Sequence, residues 1–249
     1  MAVLGTRQSQ VIRVGPLMTE KTRVGIGQLV ARIAATAVVF ALALFAPAGT
    51  LAWSAGWTFL ALFIGFVIGI STWLLRFDPD LLAERTRGIG MSDQESWDKA
   101  LLAFAGVAFF AWLALMGLDV VRYRWSRMTS SLQLLGASLL LCSFYLFFLV
   151  FRVNTYLSPG VRVQRERAQT VVTTGPYRFV RHPMYAGFVL FTLGTTFLLG
   201  SWYGMFGAAL LVVIVARRAV LEERVLRKEL DGYAAYMTTV RYRLVPYLW

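Results

Sequence analysis

The sequence predicts an all-α protein, a polytopic membrane helical bundle. Hydrophobic residues make up 58% of the chain, and the mean hydropathy is +0.62. Only 15% of the residues are charged, whereas a soluble domain usually carries about a quarter. The apolar residues are gathered into long blocks that charged segments separate. We therefore expect about six membrane segments, including a C-terminal helical hairpin, plus a C-terminal interfacial helix.

The net charge of +12 fits the topology of such a protein. In a soluble protein this charge would suggest a nucleic-acid partner, but basic residues also concentrate in the cytoplasmic loops of membrane proteins. With a cytoplasmic N-terminus, all but three of the 25 basic residues fall on the cytoplasmic side. The exceptions are Arg122, Arg124 and Arg127. We therefore predict a multi-pass protein with both termini in the cytoplasm, a lipid bilayer as partner and no nucleic acid.

Residues 1–28 are predicted to form a cytoplasmic N-terminal segment. They contain no short apolar core followed by a small-residue cleavage site, so we expect no removable signal peptide. Residues 29–153 then form a predicted scaffold of four transmembrane helices. Gly65 and Gly69, four residues apart, would permit close helix packing. The four spans are predicted at 33–51, 57–75, 100–118 and 132–151.

The segment 76–99 between the second and third spans is rich in acidic residues. Such clusters can bind a metal ion, but here the acids alternate with Arg85, Arg87 and Lys99 and lack the spacing of a calcium loop. The segment is therefore predicted to be a solvated loop, and we expect no metal.

Residues 154–249 form the predicted functional part, which centres on the polar stretch 175–185. This stretch contains the single histidine of the chain, His182. Gly175-Pro176 indicates a turn, and Pro183 suits the first turn of a helix. His182 is thus placed at a helix N-terminus, where backbone N–H groups attract anions.

A run without charged side chains, 184–216, follows this polar stretch. Gly200-Ser201 near its centre predicts the turn of a hairpin with limbs at about 184–199 and 203–217. The charged segment 219–230 keeps an apolar face, which is typical of an interfacial helix. On its own, this segment predicts two surface ion pairs at i,i+4 spacing, Arg218–Glu222 and Glu223–Arg227. By the same reasoning, Tyr233 and Tyr236 would be interfacial anchors.

The order of these motifs resembles one enzyme superfamily. Thr-Gly-Pro-Tyr-Arg-x-x-Arg-His-Pro-x-Tyr begins at Thr174, Arg-x-x-x-Glu-Glu-x-x-Leu begins at Arg218, Tyr-x-x-Tyr begins at Tyr233, and Pro246 follows. Together they are similar to the integral membrane superfamily of isoprenylcysteine carboxyl methyltransferases and phospholipid methyltransferases. The resemblance covers about residues 167–246, and the first four spans carry no signature that can be assigned.

The resemblance implies methyl transfer from S-adenosyl-L-methionine, which the C-terminal part would bind. The glycine-rich fingerprint of a Rossmann domain does not occur in the sequence. Arg218 matches the substrate-orienting arginine of the superfamily. Because the stretch before Tyr233 is about one residue shorter than in eukaryotic members, Tyr233 and Tyr236 are placed less firmly. The implied cofactor contacts are Gln169, Thr170, Val171, Val172, Tyr177, His182, Pro183, Met184, Tyr185 and Glu222.

The chemistry of the donor is compatible with these residues. His182 and the helix N-terminus suit its carboxylate, Glu222 suits a cationic or hydroxyl part, and tyrosine rings suit adenine or the sulfonium. A carboxylate acceptor needs no base, and Arg218 could orient it through two hydrogen bonds. An amine acceptor must lose a proton, for which Glu222, Glu223 or a tyrosine is the nearest candidate.

The predicted function is therefore methyl transfer to a lipophilic acceptor that arrives from the bilayer while the donor enters from the cytoplasm. The most similar activity is that of an isoprenylcysteine carboxyl O-methyltransferase. Within the same superfamily, phospholipid N-methylation and small-thiol S-methylation stay open. Two alternatives of other classes also remain, an NADPH-dependent membrane reductase of the sterol type and a non-catalytic membrane protein.

Overall fold

The structure, a computed structural model, describes residues 24–88 and 94–249. No strand occurs within these ranges, and the predicted all-α fold is confirmed. Residues 1–23 of the predicted N-terminal segment lie outside the described residues. A π-helical turn, Leu118–Arg122, extends the fourth helix. The helices are α1 Ile26–Ala48, α2 Ser54–Phe77, α3 Pro79–Arg87, α4 Ser96–Gly117, α5 Ser130–Val153, α6 Pro183–Leu199, α7 Tyr203–Glu229 and α8 Tyr233–Thr239.

Five of these helices are long and apolar enough to cross a membrane: α1, α2, α4 with its π turn, α5 and α7. The remaining apolar helix, α6, is shorter, with 17 residues. Large apolar side chains point away from the bundle, among them Val107, Leu134 and Phe206, which are 70–76% exposed. A soluble monomer rarely exposes apolar surface on this scale. The chain is therefore a multi-pass membrane protein.

The hairpin of α6 and α7 turns where the sequence predicts it. Gly200 has φ +85°, and its N–H bonds to the carbonyl oxygen of Thr196 at 3.0 Å. Beyond the turn, α7 continues without a break to Glu229, so the segment predicted as an interfacial helix is the C-terminal part of α7. No glycine or proline interrupts residues 208–231, which explains why the helix does not end at the charged residues.

The close packing that Gly65 and Gly69 would permit does not occur in the structure. A Cβ atom built on either glycine would have no atom within 4 Å, and both residues are exposed. Close packing occurs instead between α5 and α6. A Cβ on Gly194 would lie 2.6 Å from the backbone nitrogen of Leu140, and one on Gly136 would overlap the backbone nitrogen of Leu198. The backbones of α5 and α6 therefore touch.

Hydrogen bonds join the hairpin to the preceding helices. The indole Nε1 of Trp112 on α4 donates to the carbonyl oxygen of Gly204 on α7 at 2.8 Å, and Ser143 Oγ on α5 donates to that of Gly187 on α6 at 2.8 Å. One apolar core spans all these helices and includes Leu44, Phe59, Leu113, Met116, Leu140, Phe191 and Leu211. The proposed division into 29–153 and 154–249 therefore stays a prediction about function, because both parts share this core.

Two opposite ends of the bundle carry the polar residues. At one end, the Gly49 and Gly200 turns meet the π turn, and the backbone N–H of Trp202 bonds to Ser126 Oγ at 3.0 Å. At the other end, α3 and the start of α4 contact the segment 154–182 and the C-terminal half of α7. A buried ion pair, Arg162–Glu84 at 3.0 Å, lies there. We call the second end the site end.

We predict that Gly136→Ala lowers the midpoint of thermal unfolding in detergent, because the new methyl group must separate the backbones of α5 and α6. Overpacking of this kind costs about 1–3 kcal/mol of unfolding free energy. Gly65→Ala is the matched control and should be neutral or stabilising by up to about 1 kcal/mol, since alanine favours the helix. Equal midpoints for the two variants would contradict the assigned contact between α5 and α6.

Candidate active site

A cavity of about 490 Å³ opens at the site end of the bundle. This volume is in the range of small-molecule sites. The half towards the membrane is lined by apolar side chains of the spanning helices, among them Leu102, Ala105, Phe109, Phe188, Leu211 and Ile214. The half towards the site end is lined by the segment 154–172, the start of α6, the end of α7 and α8. The cavity therefore joins a polar chamber to an apolar arm between α4, α6 and α7.

The sequence predicts that the segment 76–99 is a solvated loop. In its described part, this segment instead forms one wall of the site end. Residues 79–87 form α3. The side chain of Asp78 caps its start and accepts a hydrogen bond from the N–H of Leu81 at 3.0 Å. Glu84 is 3% exposed and accepts two hydrogen bonds from Arg162. Asp98 is fully buried. The prediction of a solvated loop is wrong for Glu84 and Asp98, because each has a basic partner in a distant part of the chain. Asp93 lies outside the described residues.

Glu222 and His182 meet at the wall of the polar chamber. His182 Nδ1 lies 3.9 Å from Glu222 Oε2, and the hydroxyl of Tyr185 donates to the same carboxylate oxygen at 2.7 Å. The rings of His182 and Tyr185 are stacked, with centroids 5.4 Å apart. The side chain of Glu222 stays 25% exposed. One carboxylate thus faces the cavity and is oriented by a phenol and an imidazole.

Glu223, the next residue, turns away from the cavity and is 4% exposed. Its carboxylate accepts from Arg181 Nε at 2.6 Å and from Arg243 Nε at 2.9 Å, and it lies 3.3 Å from His182 Nε2. The predicted surface pair with Arg227 is therefore wrong. Residues 222 and 223 lie about 100° apart around a helix, so one carboxylate faces the cavity while the other lies inside the protein.

The arrangement changes the role expected for His182. The histidine lies beside the carboxylate of Glu222, which faces the cavity and would repel the carboxylate of a donor placed there. The backbone N–H groups of Arg181 and His182 bond to the carbonyl oxygens of Tyr242 and Arg243 at 2.9 and 2.8 Å. They are therefore not free to bind an anion at the start of α6. This part of the cavity suits a cationic or hydroxyl group.

Arg218 also lines the cavity, but its expected pairing with Glu222 does not form. Its Nε and Nη2 donate to the two oxygens of Asp98 at 2.7 and 3.2 Å, and Nη2 also donates to the carbonyl oxygen of Pro159 at 2.8 Å. The guanidinium lies over the ring of Tyr185, 5.8 Å from its centroid. Asp98 thus occupies the edge of the guanidinium that would hold an acceptor carboxylate through two hydrogen bonds. The Nη1 nitrogen remains available to an acceptor.

Three tyrosines outside the spans close the polar chamber. Tyr236 donates to the carbonyl oxygen of Tyr177 at 2.6 Å, and the hydroxyl of Tyr177 accepts from Asn154 at 2.6 Å. Tyr233 and Tyr236 are 4% and 6% exposed, so they are not the interfacial anchors that their position suggested. Burial raises the pKa of all three hydroxyls above the usual value for tyrosine. They are therefore hydrogen-bond donors at neutral pH and not bases.

The cavity brings together most residues that the resemblance implied. Arg218 and nine of the ten expected cofactor contacts line it; the exception is Pro183, which is buried at the first position of α6. Proline there begins the helix and directs its neighbours into the cavity. The lining contacts are Gln169, Thr170, Val171, Val172, Tyr177, His182, Met184, Tyr185 and Glu222.

Several residues of the cavity were not predicted from the sequence. Asp98 holds Arg218, and Arg85 on α3, whose guanidinium lies over the ring of Phe151, also lines the cavity. Tyr233 and Tyr236 belong to the chamber as well. No local signal in the sequence pointed to Asp98, which lies just before the predicted span 100–118.

The chamber fits a polar cofactor. The hydroxyls of Tyr233 and Ser158 both line the cavity and are buried without a hydrogen-bond partner in the described parts of the chain. A buried hydroxyl without a partner costs free energy, which a ligand with polar atoms would recover. Together with the carboxylate of Glu222, these groups match the ammonium and the hydroxyls of S-adenosyl-L-methionine.

We predict that Glu223→Gln destabilises the protein much more than Glu222→Gln. The first substitution leaves Arg181 and Arg243 without their buried countercharge, a change that typically costs about 3–5 kcal/mol. The second replaces the charged acceptor of one phenol hydrogen bond by a neutral amide oxygen at a partly exposed position, at a cost of about 1 kcal/mol at most. Thermal unfolding of the two purified variants measures the difference. Equal losses would refute the distinct roles of the two neighbouring carboxylates.

Comparison with known proteins gives the family of this region. Residues 132–231 match the family model for phospholipid methyltransferase. The matched range contains α5, the segment 154–182, the hairpin and the residues that orient Glu222. A search of curated proteins found no match. The match supports a membrane methyltransferase. Residues 132–231 are therefore similar to the membrane superfamily of isoprenylcysteine carboxyl methyltransferases and phospholipid methyltransferases.

Proposed function

We propose that this protein transfers a methyl group from S-adenosyl-L-methionine to a lipophilic acceptor that carries a carboxylate, most like an isoprenylcysteine carboxyl O-methyltransferase. The observation that carries the proposal is the shape of the cavity, a polar chamber at Glu222 that is continuous with an apolar arm between membrane-spanning helices. A donor that is mostly polar and an acceptor that is mostly apolar would meet where these two parts join.

The polar chamber would hold the donor. The carboxylate of Glu222, fixed by the hydroxyl of Tyr185, faces the cavity and would attract the ammonium or accept from hydroxyl groups. The hydroxyl of Tyr233 is available to the same ligand. The expected contacts 169–172 also line the cavity, where their backbone could enclose the nucleoside. His182 would act through Glu222 and Tyr185, which it contacts, and would not bind the donor carboxylate.

The apolar arm would hold the acceptor. Gly106 on α4 lines it, and a Cβ atom built on this glycine meets no atom within 4 Å, so the arm is wide at this point. Leu102, Phe188 and Val215 provide the surrounding apolar surface. An acceptor with a hydrocarbon chain gains free energy when it buries that chain there, at about 0.8 kcal/mol per CH₂ group.

The reaction itself needs positioning more than acid–base catalysis. S-adenosyl-L-methionine supplies the methyl group on a sulfonium. A bond forms between an acceptor oxygen and the methyl carbon while the carbon–sulfur bond breaks, and its electron pair stays on the sulfur as a neutral thioether. A carboxylate is already ionised, so no base is required. Arg218, rigidly held by Asp98, offers its remaining Nη1 to the acceptor, and Arg85 brings a second guanidinium to the wall of the cavity. Exclusion of water by the arm would favour transfer.

A phospholipid amine is the second candidate acceptor. The family match, to phospholipid methyltransferase, favours it. An amine must be deprotonated before it attacks, and Glu222 is the carboxylate that faces the chamber. Both candidates share the same donor site and differ only in the group at the junction of chamber and arm.

We predict that labelled methyl transfers from the donor to a prenylated cysteine and not to N-acetylcysteine, its water-soluble counterpart. Phosphatidylethanolamine, ethanolamine and a lipophilic thiol complete the set of acceptors, and transfer to phosphatidylethanolamine instead would select the second candidate. If only the water-soluble acceptors were methylated, the assignment of the apolar arm would be wrong.

Arg218→Ala tests the acceptor side in the same assay. We expect at least a tenfold loss of turnover while binding of S-adenosylhomocysteine is retained, since Arg218 lies at the junction of chamber and arm. Arg217→Ala is the matched control, because Arg217 is the adjacent, exposed arginine and does not line the cavity. Unchanged turnover in Arg218→Ala would remove this residue from the site.

A further inference from the structure

Three arginines lie at the end of the bundle opposite the active site. Arg122, Arg124 and Arg127 are exposed, and together they line an open cleft with the turn at Gly49–Thr50 and with Trp53. Within residues 24–88 and 94–249, none of the three has an ion pair or a side-chain hydrogen bond. The cleft therefore presents three guanidinium groups without a protein counterion in the described residues.

Acidic residues do not neutralise this cleft. The connections 49–53, 118–129 and 200–202 contain one acidic residue, Asp119. Its side chain is fully buried, and one oxygen accepts from Ser201 Oγ at 2.5 Å, while the other has no hydrogen-bond partner in the described chain. In the predicted topology, these three arginines are also the basic residues that lie on the non-cytoplasmic side. The rule that places basic residues on the cytoplasmic side does not account for three arginines at that end.

The backbone that presents the arginines is held in place from both sides. The N–H of Tyr123 bonds to the carbonyl oxygen of Leu118 at 2.8 Å, and the N–H of Trp125 bonds to that of Asp119 at 2.8 Å. Between them, Arg124 has φ +56°, a left-handed conformation that is uncommon for arginine and persists only where the surroundings enforce it. The guanidinium of Arg122 lies against Gly49, 3.6 Å from the position of a built Cβ.

Aromatic residues place the cleft at the depth of the lipid headgroups. The rings of Tyr123 and Trp125 are stacked at 4.8 Å, and Trp125 contacts Tyr203 at 5.6 Å. All three are about half exposed, at the ends of spanning helices. Tyrosine and tryptophan in such positions mark the interface between hydrocarbon and water, which is where phospholipid phosphates lie. Guanidinium groups pair with phosphate oxygens through two parallel hydrogen bonds.

We propose that the cleft formed by Arg122, Arg124 and Arg127 binds a phosphate group, as carried by the headgroup of an anionic phospholipid. The site is separate from the methyl-transfer cavity, and the proposal does not depend on the reaction that takes place there. A soluble phosphate ester offers the same chemistry, so the test must distinguish it from a lipid.

Native mass spectrometry in an uncharged detergent tests the proposal. Full-length protein is titrated with phosphatidylglycerol, with zwitterionic phosphatidylcholine and with soluble glycerol phosphate. We expect one phosphatidylglycerol to bind at least tenfold more tightly than phosphatidylcholine. Replacement of Arg122, Arg124 and Arg127 by Gln should abolish this preference. If glycerol phosphate binds as tightly as the lipid and depends on the same arginines, the phosphate site stands and its ligand is soluble.

The matched control replaces Arg224, Arg227 and Lys228 by Gln, which removes the same charge from exposed positions on α7 at the site end. This variant should bind phosphatidylglycerol as the unaltered protein does. An equal loss of phosphatidylglycerol binding in both triple variants would overturn the proposal, because the effect would then depend only on net charge. Unaltered phosphatidylglycerol binding in the variant of the three cleft arginines would overturn it as well. Single substitutions of the three arginines, each with an unfolding midpoint measured without lipid, exclude a loss caused by misfolding.

Discussion

The structure of the candidate site depends on the burial of Glu223. Its carboxylate joins three parts of the chain that are far apart in sequence: Arg181 before α6, the C-terminal half of α7 and Arg243 in the tail. A buried carboxylate is costly without partners, and here two guanidinium groups and an imidazole surround it. Because residue 223 faces inwards, residue 222 must face the cavity. The position of the carboxylate proposed to bind the donor therefore follows from the interactions of its neighbour.

A second buried carboxylate connects the scaffold to this site. Asp98, near the start of α4, holds Arg218 through two hydrogen bonds and also accepts from the backbone N–H of Val161 at 2.8 Å. The side chain of Asp98 thus fixes Arg218 at the junction of the chamber and the arm. The same side chain fixes the segment around Val161, which covers the chamber. The helices without a recognisable signature are part of the site for this reason. They provide the wall, the apolar arm and the residue that orients Arg218.

The sequence predicted the parts of the molecule that depend on local patterns. Apolar blocks predicted the spans, the glycine at position 200 predicted the hairpin turn, and the motifs around His182 and Glu222 predicted residues that line the cavity. Side-chain partners could not be predicted, since Asp98 and Arg218 are 120 positions apart and Arg181 and Glu223 are 42 apart. The spacing of Arg218, Glu222, Glu223 and Arg227 suggested pairs within α7, but tertiary partners replaced them. Likewise, the spacing of Gly65 and Gly69 could not reveal which glycines face a neighbouring helix.

The central claim is that the carboxylate of Glu222, positioned by His182, binds the donor molecule. Calorimetric titration with S-adenosylhomocysteine tests it most directly, using the unaltered protein, His182→Ala, Glu222→Gln and the double variant. Glu229→Gln, an exposed carboxylate on the same helix, is the control. The account predicts at least a tenfold loss of affinity in each single variant, a double variant scarcely weaker than either, and no loss in the control. Affinity that is unchanged in both single variants would contradict it.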